Sequence, residues 1–301
     1  MIVISGGNGF IGRNLVKSIP NSISVSLREK YWKNHFSTAT AIINLVGKAH
    51  DHSGTATKED FYYANLELTK DVFNAFVESN ANILIHISSI AAVEEFESLK
   101  PLTEENNCHP VTFYGESKRA GEKWLLDQDL PENKKLIILR PPMVHGPGDK
   151  GNLGILYKFI SKGLPNPFAN LDNSRSFISI NNFTFYIDQI LNNFPDLNNG
   201  IYHVADNESV STKEIIDIIE KVTNKKSLKI SLPNSVVKLL ANLGDIIPIP
   251  INNKRLKKLT STLLVSNSKI NTSLNIQSLP ESGRDGIYRT VFWFKSDNLH
   301  K

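Results

Sequence analysis

Short apolar runs alternate with longer amphipathic segments through the first half of this 301-residue chain. Continuous apolar runs predict buried strands, and the amphipathic segments between them predict helices that cover both faces of a parallel sheet. The predicted strands are residues 2–4, 23–27, 40–46, 83–87 and 136–139, and the predicted helices are 10–18, 58–79 and 114–127. The pattern therefore predicts an α/β fold with a Rossmann-like, doubly wound parallel sheet.

The alternation ends at Pro141 and Pro142, and the chain becomes loop-rich from about Gly148. A turn cluster follows at 163–167, and shorter amphipathic segments predict helices at 211–223 and 234–243. We expect a Rossmann domain over residues 1–148 and a smaller C-terminal α/β substrate-binding domain over most of residues 149–301. A segment near 175–205 is expected to return to the first domain.

Composition narrows the class of protein only a little. The net charge of +4 is mild and scattered, so it gives no reason to expect a nucleic-acid partner, and an acidic small substrate is compatible with it. The single cysteine, Cys108, allows no intrachain disulfide and suits a reducing compartment. The N-terminus has no basic, apolar leader pattern, and Lys238, Asp245 and two prolines interrupt the apolar stretch 236–251. We expect a cytoplasmic protein with no membrane insertion and no metal site.

Three glycines connect the first predicted strand to the first predicted helix. In the run 6–12, Gly6 would allow the tight turn, Gly9 would let the backbone approach a pyrophosphate, and Gly12 would let the helix pack on the strand. The helix N-terminus then offers N–H groups to the phosphates. This placement predicts a dinucleotide site, whose expected contacts are Gly6, Asn8, Gly9, Phe10, Ile11 and Gly12.

The end of the second predicted strand bears on which dinucleotide binds. Sites specific for NAD usually place an acidic residue there for the ribose hydroxyls, whereas this strand runs into Arg28. A guanidinium can bind a 2′-phosphate through two hydrogen bonds, although a solvated surface arginine is an equal alternative. The prediction is therefore NAD or NADP, with Arg28 favouring NADP.

A phenol and an ammonium share one face of the predicted helix 114–127. Tyr114 and Lys118 lie four residues apart, and a nearby ammonium, with the positive nicotinamide of an oxidised cofactor, favours the phenolate. Tyr114 is thus a candidate general acid and base for a hydroxyl/carbonyl pair. Ser89 follows the predicted strand 83–87, at the sheet edge where such folds bind ligands, and its hydroxyl can donate to the substrate oxygen.

With these residues, the chain resembles the extended short-chain dehydrogenase/reductase family, the NAD-dependent epimerase/dehydratases, and especially their nucleotide-sugar epimerases and reductases. The family's catalytic serine, tyrosine and lysine match Ser89, Tyr114 and Lys118. The runs 44–47 and 140–148 resemble two of its cofactor-flanking motifs. The resemblance therefore adds the following expected cofactor contacts: Leu45, Val46, Gly47, Asn65, Tyr114, Lys118, Pro141 and Val144.

The second half resembles the substrate side of the enzymes that act on UDP-sugars. The resemblance implies that Asn152 contacts the sugar diphosphate, that Phe168 lies at the uracil, and that Arg175 approaches the nucleotide, with Ser89 at the sugar.

The sequence departs from the family pattern after the catalytic serine. The family usually follows its serine with a stretch ending in glycine, whereas this chain has Glu94 and Glu95 there, and Ser88 could then take the hydroxyl role.

The resemblance leaves more than one reaction open. A 4,6-dehydratase needs an acid and a base beside the catalytic hydroxyl. Residues 90–91 are Ile-Ala, which can transfer no proton, so this reaction is disfavoured. A cysteine–histidine 3,5-epimerising reductase is disfavoured because Cys108 lies just before Tyr114. There remain a UDP-hexose or UDP-N-acetylhexosamine 4-epimerase, ranked first, an NADPH-dependent 4-keto-6-deoxy nucleotide-sugar reductase, and a non-catalytic dinucleotide-binding protein. The sequence also permits a homodimer through the predicted helices 58–79 and 114–127.

Overall fold

The computed structural model describes residues 1–49, 55–149, 151–163, 166, 171, 173–228 and 253–299. Its strands, in chain order, are β1 (Ile2–Ser5), β2 (Ser22–Val25), β3 (Ala41–Asn44), β4 (Ile83–Ile87), β5 (Ser98–Leu102), β6 (Lys135–Arg140), β7 (Met143–His145), β8 (Phe177–Ser179), β9 (Gly200–His203) and β10 (Leu263–Val265). Every strand predicted in the first half is present, with ends that differ by at most two residues.

The described helices begin and end as follows: α1 (Phe10–Ser18), α2 (Trp32–Ser37), α3 (Lys58–Tyr62), α4 (Leu68–Val77), α5 (Phe113–Leu126), α6 (Asn152–Ile160), α7 (Ile180–Asn193), α8 (Thr212–Thr223), α9 (Asn253–Thr260), α10 (Ser268–Ser273) and α11 (Gly283–Leu299). A π-helical turn, Tyr63–Glu67, joins α3 to α4, so the predicted helix 58–79 is not regular throughout. The predicted helix 234–243 lies outside the described residues. None of the described helices is both long and apolar enough to cross a bilayer.

Six parallel strands form the main sheet, in the order β2-β1-β3-β4-β6-β9. The chain places β2 on one side of β1 and β3 on the other, so the direction of winding reverses between β1 and β3. Ligands of open α/β sheets bind at such a switch point, beyond the carboxyl ends of the strands. The order β2-β1-β3 is flavodoxin-like, with one strand outside β1. The short helix α2 lies between β2 and β3 in the chain.

Both faces of this sheet are buried, which confirms the predicted doubly wound α/β class. Side chains alternate along each strand, so Ile4 and Ile85 face one apolar cluster while Val3 and Leu84 face another. The first cluster includes residues of α7, and the second includes Phe76 of α4. Each such side chain, when fully buried, contributes roughly 1.5–3 kcal/mol relative to exposure.

The C-terminal half has an apolar cluster of its own, built on α6, α8, α11 and the strand residue Phe177. Two small parallel pairs accompany it, β5 with β10 and β7 with β8. After α7 the chain returns to the main sheet, where β9 pairs with β6. The division at residue 148 stays a prediction.

Candidate active site

The glycine loop has the geometry of an anion cradle. Gly6 adopts a positive φ of +80°, and a Cβ at Gly12 would lie 2.5 Å from the Gly7 Cα, so neither position accepts a side chain without rearrangement. Gly9 is the N-cap of α1; among the described residues no side chain caps this helix, and its first turn contains no acid. The N–H groups and the positive end of α1 are therefore available to a phosphate.

The other predicted loop contacts lie around this cradle. Asn8 is exposed, and its carbonyl accepts a hydrogen bond from Arg13 at 3.0 Å. Phe10 packs against the apolar cluster beneath α1, and its ring lies 3.6 Å from where a Cβ of Gly146 would be. Ile11 packs on the same cluster. The loop after β7 therefore approaches the glycine loop, and the neighbouring Val144 packs on the same apolar cluster.

The loop after β3 is held against Gly6 by the side chain of Asn44, which was not among the predicted contacts. The Oδ1 atom of buried Asn44 accepts hydrogen bonds from Ser5 Oγ at 2.8 Å and from Val46 N at 3.1 Å. These contacts end the strand and direct Leu45 along the loop, where a Cβ at Gly6 would lie 3.1 Å from the Leu45 carbonyl carbon. The predicted contacts 45–47 thus lie at the switch point.

Asn65 lies in the π-helical turn, fully buried against α5. Its Nδ2 donates to Ser117 Oγ at 2.9 Å and to the Lys48 carbonyl at 3.0 Å, and its Oδ1 accepts from Lys48 N at 3.0 Å. A Cβ at Gly121 would lie 2.5 Å from the Asn65 carbonyl oxygen, so α5 approaches the turn closely. A π-helical turn inside a helix is frequently found at a functional site.

Ser89, Tyr114 and Lys118 come together at the carboxyl end of β4. The hydroxyl of Tyr114, the second residue of α5, hydrogen-bonds the Ser89 side chain. One turn further along α5, Lys118 Nζ donates to the Ile87 carbonyl at 2.9 Å. A Cβ at Gly47 would lie 2.9 Å from Lys118 Nζ and 2.5 Å from Asn65 Oδ1, so the loop after β3 reaches the same point.

Burial dominates the protonation of both groups on α5. It raises the pKa of Tyr114 to about 12; the hydrogen bond from Ser89 opposes the rise, and the carboxylates of Glu95 and Glu122 add to it. Burial lowers the pKa of Lys118 to about 8, against the attraction of Glu122. Tyr114 therefore keeps its proton at neutral pH in this structure, and its ionisation needs further positive charge beside it.

Ser88 faces away from this group. Its Oγ donates to Glu122 Oε1 at 2.5 Å, and its side chain is buried. The structure therefore brings Ser89, and not Ser88, to the Tyr114 hydroxyl.

Glu122 is the centre of a buried ionic network that the sequence analysis missed. It accepts from Arg140 Nε at 2.8 Å and from Arg140 Nη2 at 2.7 Å, and Arg119 Nη1 adds a hydrogen bond at 3.2 Å. Arg140 also contacts Cys108 Sγ at 3.6 Å and His203 Nε2 at 3.4 Å. The available signal was spacing, because residues 114, 118 and 122 repeat every four positions on one helix face.

The remaining predicted residues lie further out. Arg28 is exposed in the turn after β2, where its N–H donates to Ser26 Oγ, and the adjacent Glu29 accepts from Ser26 N at 3.4 Å. Pro141 is buried at the end of β6, and its carbonyl accepts from Ile90 N at 2.9 Å, beside the turn that follows Ser89.

Of the predicted substrate contacts, Asn152 is the first residue of α6, and Phe168 lies outside the described residues. Arg175 Nη1 donates to the Phe96 carbonyl and to both oxygens of Ser261, at 2.9–3.2 Å. Burial lowers the pKa of Arg175 to about 10. Within the described ranges, no hydrogen bond joins Asn152 or Arg175 to the group around Tyr114. The same ranges contain no cluster of three side chains suited to a metal ion.

The sequence matches the model of the NAD dependent epimerase/dehydratase family over residues 24–205, about three-fifths of the chain. The chain therefore belongs to this family. It is 27% identical to the UDP-glucose 4-epimerase of Vibrio cholerae over 326 residues, which cover 99% of this chain and 96% of that protein.

Solved structures show the same fold over nearly the whole chain. The Bordetella bronchiseptica enzyme WbmG in complex with NAD and UDP superposes with a TM-score of 0.75 at 18% identity, over 99% of this chain and 96% of WbmG. RMD from Pseudomonas aeruginosa, complexed with NADPH, gives a TM-score of 0.73 at 16% identity, over 98% and 99% of the two chains. Both comparisons support the Rossmann-like architecture.

Proposed function

We propose that this chain is an NAD(P)-dependent nucleotide-sugar epimerase, in particular a UDP-hexose or UDP-N-acetylhexosamine 4-epimerase that acts by transient oxidation at C4. The observation that carries the proposal is the convergence of Ser89, Tyr114 and Lys118 at the carboxyl edge of β4, beside the glycine loop. The Vibrio cholerae relative, which aligns over almost the full length of this chain, supports the same reaction.

The residues present fit a nicotinamide dinucleotide. Gly6 and Gly12 leave no space for side chains, and α1 presents an uncapped N-terminus to a pyrophosphate. Residues 45–47 would flank the cofactor, and Lys118 would hydrogen-bond the nicotinamide ribose. When bound, the dinucleotide supplies the hydride acceptor and donor for C4.

In the proposed reaction, this chain's residues move one proton and hold one oxygen. Ser89 donates a hydrogen bond to the sugar O4, and Tyr114 exchanges a proton with that oxygen. The ammonium of Lys118 favours the phenolate when the sugar hydroxyl is oxidised, and the neutral phenol returns the proton when the ketone is reduced. Epimerisation requires that the keto-sugar present its opposite face before C4 is reduced.

A second candidate, an NADPH-dependent 4-keto-6-deoxy nucleotide-sugar reductase, uses the same three residues. The observation that favours it is the exposed Arg28 in the turn after β2, whose guanidinium could bind a 2′-phosphate through two hydrogen bonds. NADP is accordingly our preferred cofactor for this alternative. Tighter binding of NADH than of NADPH in a side-by-side titration would remove this support.

The third candidate, a non-catalytic dinucleotide-binding protein, is separated from both enzymes by one variant. Tyr114→Phe removes the proton donor but leaves the glycine loop intact, so we expect turnover to be lost and NAD(P)H binding to be retained. Nucleotide binding can be followed by the fluorescence of the reduced cofactor. Turnover that persists in Tyr114→Phe would exclude the proposed role of this residue.

We also propose a cytoplasmic location and a homodimer. The helices that would pair have exposed apolar side chains, Tyr63 after α3 and Phe113 and Leu126 on α5, which are 62%, 47% and 47% exposed. Light scattering tests the assembly, and a monomer at micromolar concentration would contradict it.

A further inference from the structure

A buried carboxylate lies where the segment after Ser89 meets both α5 and the C-terminal half. Glu95 is 4% exposed. Its Oε2 accepts a hydrogen bond from Thr112 Oγ1 at 2.5 Å, and its Oε1 lies 2.8 Å from Lys258 Nζ. Because a buried charge is costly unless it is paired, these two partners fix the position of this carboxylate.

The first partner is the cap of the helix that carries Tyr114. Thr112 is the N-cap of α5, and its Oγ1 accepts from Gly115 N at 3.2 Å while it donates to Glu95. A hydroxyl has a single proton, so the bond to Glu95 fixes the orientation in which Thr112 can cap α5. A Cβ at Gly115 would collide with the Ala91 carbonyl oxygen, so this first turn packs tightly on the turn after Ser89.

The second partner belongs to α9, which holds the same segment from the other side. Lys257 Nζ lies 4.5 Å from the centre of the Phe96 ring, and Ser261 Oγ donates to the Phe96 carbonyl at 2.6 Å. Arg175 Nη1 donates to that carbonyl as well, at 3.1 Å. Residues 95–96 therefore connect the C-terminal half to the first turn of α5.

We propose that Glu95 is a positioning residue that couples the packing of α9 to the placement and charge environment of Tyr114. The inference rests on the proposed catalytic role of Tyr114. Two carboxylates raise the pKa of this phenol, Glu95 from the segment after Ser89 and Glu122 from α5. Lys258 is paired with Glu95, and Lys118 lies one turn further along α5. The carboxylate of Glu95 raises the pKa of Tyr114, so it favours the phenol that protonates a carbonyl.

Two substitutions change the net charge beside Tyr114 in opposite directions. Glu95→Gln keeps an acceptor for Thr112 but removes the negative charge, so the pKa of Tyr114 falls. Lys258→Met leaves the negative charge of Glu95 unpaired, so the pKa of Tyr114 rises. Damage to the fold would instead expose the phenol and lower its pKa in both variants. Glu97→Gln, an exposed carboxylate two residues away, is the matched control.

The experiment measures tyrosinate absorbance at 295 nm from pH 9 to above pH 12, because the pKa of Tyr114 is about 12. Each variant is compared in the wild-type and Tyr114→Phe backgrounds. Relative to wild type, we expect the Tyr114 signal to appear at lower pH in Glu95→Gln, at higher pH in Lys258→Met, and at the same pH in Glu97→Gln. The proposal would be overturned if the Tyr114 titration shifted in the same direction in Glu95→Gln and Lys258→Met, or if it shifted in neither variant. If Glu95→Gln does not fold, Lys258→Met alone decides. A Tyr114 titration that moves to lower pH in Lys258→Met, or a kcat of this variant equal to that of wild type, overturns the proposal.

The titration needs no sugar, so it is independent of the proposed substrate. In turnover assays with UDP-glucose and UDP-N-acetylglucosamine, Glu95→Gln is expected to lower kcat roughly tenfold while KM stays within about twofold, as expected of misplaced proton transfer. Turnover absent from the wild type would count against the proposed function alone. A wild-type kcat in Glu95→Gln would count against Glu95 alone.

Discussion

The buried pair of Glu122 and Arg140 offers a sharp test of how the site is held. We expect Glu122→Gln to destabilise the protein because the variant keeps the size of the side chain but leaves the Arg140 guanidinium, 1% exposed, without its counter-charge. Removing one partner of a buried ion pair costs about 3–5 kcal/mol. Ser88 and Arg119 lose a charged acceptor in the same variant, so the loss should not lie below this range.

Urea denaturation measures the loss directly. With an m-value of about 3 kcal/mol/M, a loss of about 3–5 kcal/mol lowers the midpoint by roughly 1 M or more. Two probes, tryptophan fluorescence and circular dichroism, must give the same transition for the free energy to be defined. The control is Glu67→Gln, because Glu67 pairs with Lys70 at 2.8 Å on the surface and is 50% exposed. We expect it to change stability by no more than about 0.5 kcal/mol.

A double variant checks the cause. Glu122→Met combined with Arg140→Met removes both charges, so it should cost less than the two single changes added together. Additive losses, or a Glu122→Gln midpoint equal to that of Glu67→Gln, would refute the claim that this charge pair secures α5 to β6.

The remaining predictions concern the loop after β3 and two protonation equilibria. Gly47→Ala places a methyl group 2.5 Å from Asn65 Oδ1, so kcat should fall about 100-fold, whereas Gly154→Ala, with its nearest contact at 3.5 Å, should match wild type in steady-state assays. Because the pKa of Lys118 is about 8, kcat/KM should fall as pH rises past 8, and a flat profile from pH 7 to 10 would exclude this ammonium's role. The pKa of His203 is lowered from 6.5 to about 3, chiefly by burial, so the unfolded state binds the proton first as pH falls below 6.5. The free energy of unfolding should then drop by up to about 1.4 kcal/mol per pH unit, and urea midpoints that stay constant from pH 7 to 5 would contradict it.

The sequence predicted the first half of the fold well because local signals agree there. Helix α1 spans residues 10–18 as predicted, since the glycine loop sets its start and the turn at 20–21 follows its end. The predicted strand 40–46 extended two residues too far, because the Asn44 side chain takes the Val46 N–H and ends the pairing. An apolar pattern does not report such a side-chain contact.

Parts of the site needed the three-dimensional structure. The π-helical turn at Asn65 was not predicted, because a single inserted position barely changes the apolar period of the helix around it. The pair of Glu122 with Arg140 joins residues 18 positions apart on different elements, and the contact of Glu95 with Lys258 joins distant halves of the chain. By contrast, the spacing of Tyr114 and Lys118 on one helix was enough to predict that they share a face.

The central claim is the chemistry at C4, and one assay tests it most directly. Purified protein is given UDP-N-acetylglucosamine, UDP-glucose and the 4-keto-6-deoxy derivative, each with NADH or NADPH and with the oxidised forms. Absorbance at 340 nm is followed together with the sugar products. The proposed epimerase interconverts the C4 epimers without net change in cofactor, and Tyr114→Phe abolishes the interconversion. Stoichiometric loss of NADPH with the keto-sugar alone would contradict the epimerase and establish the reductase.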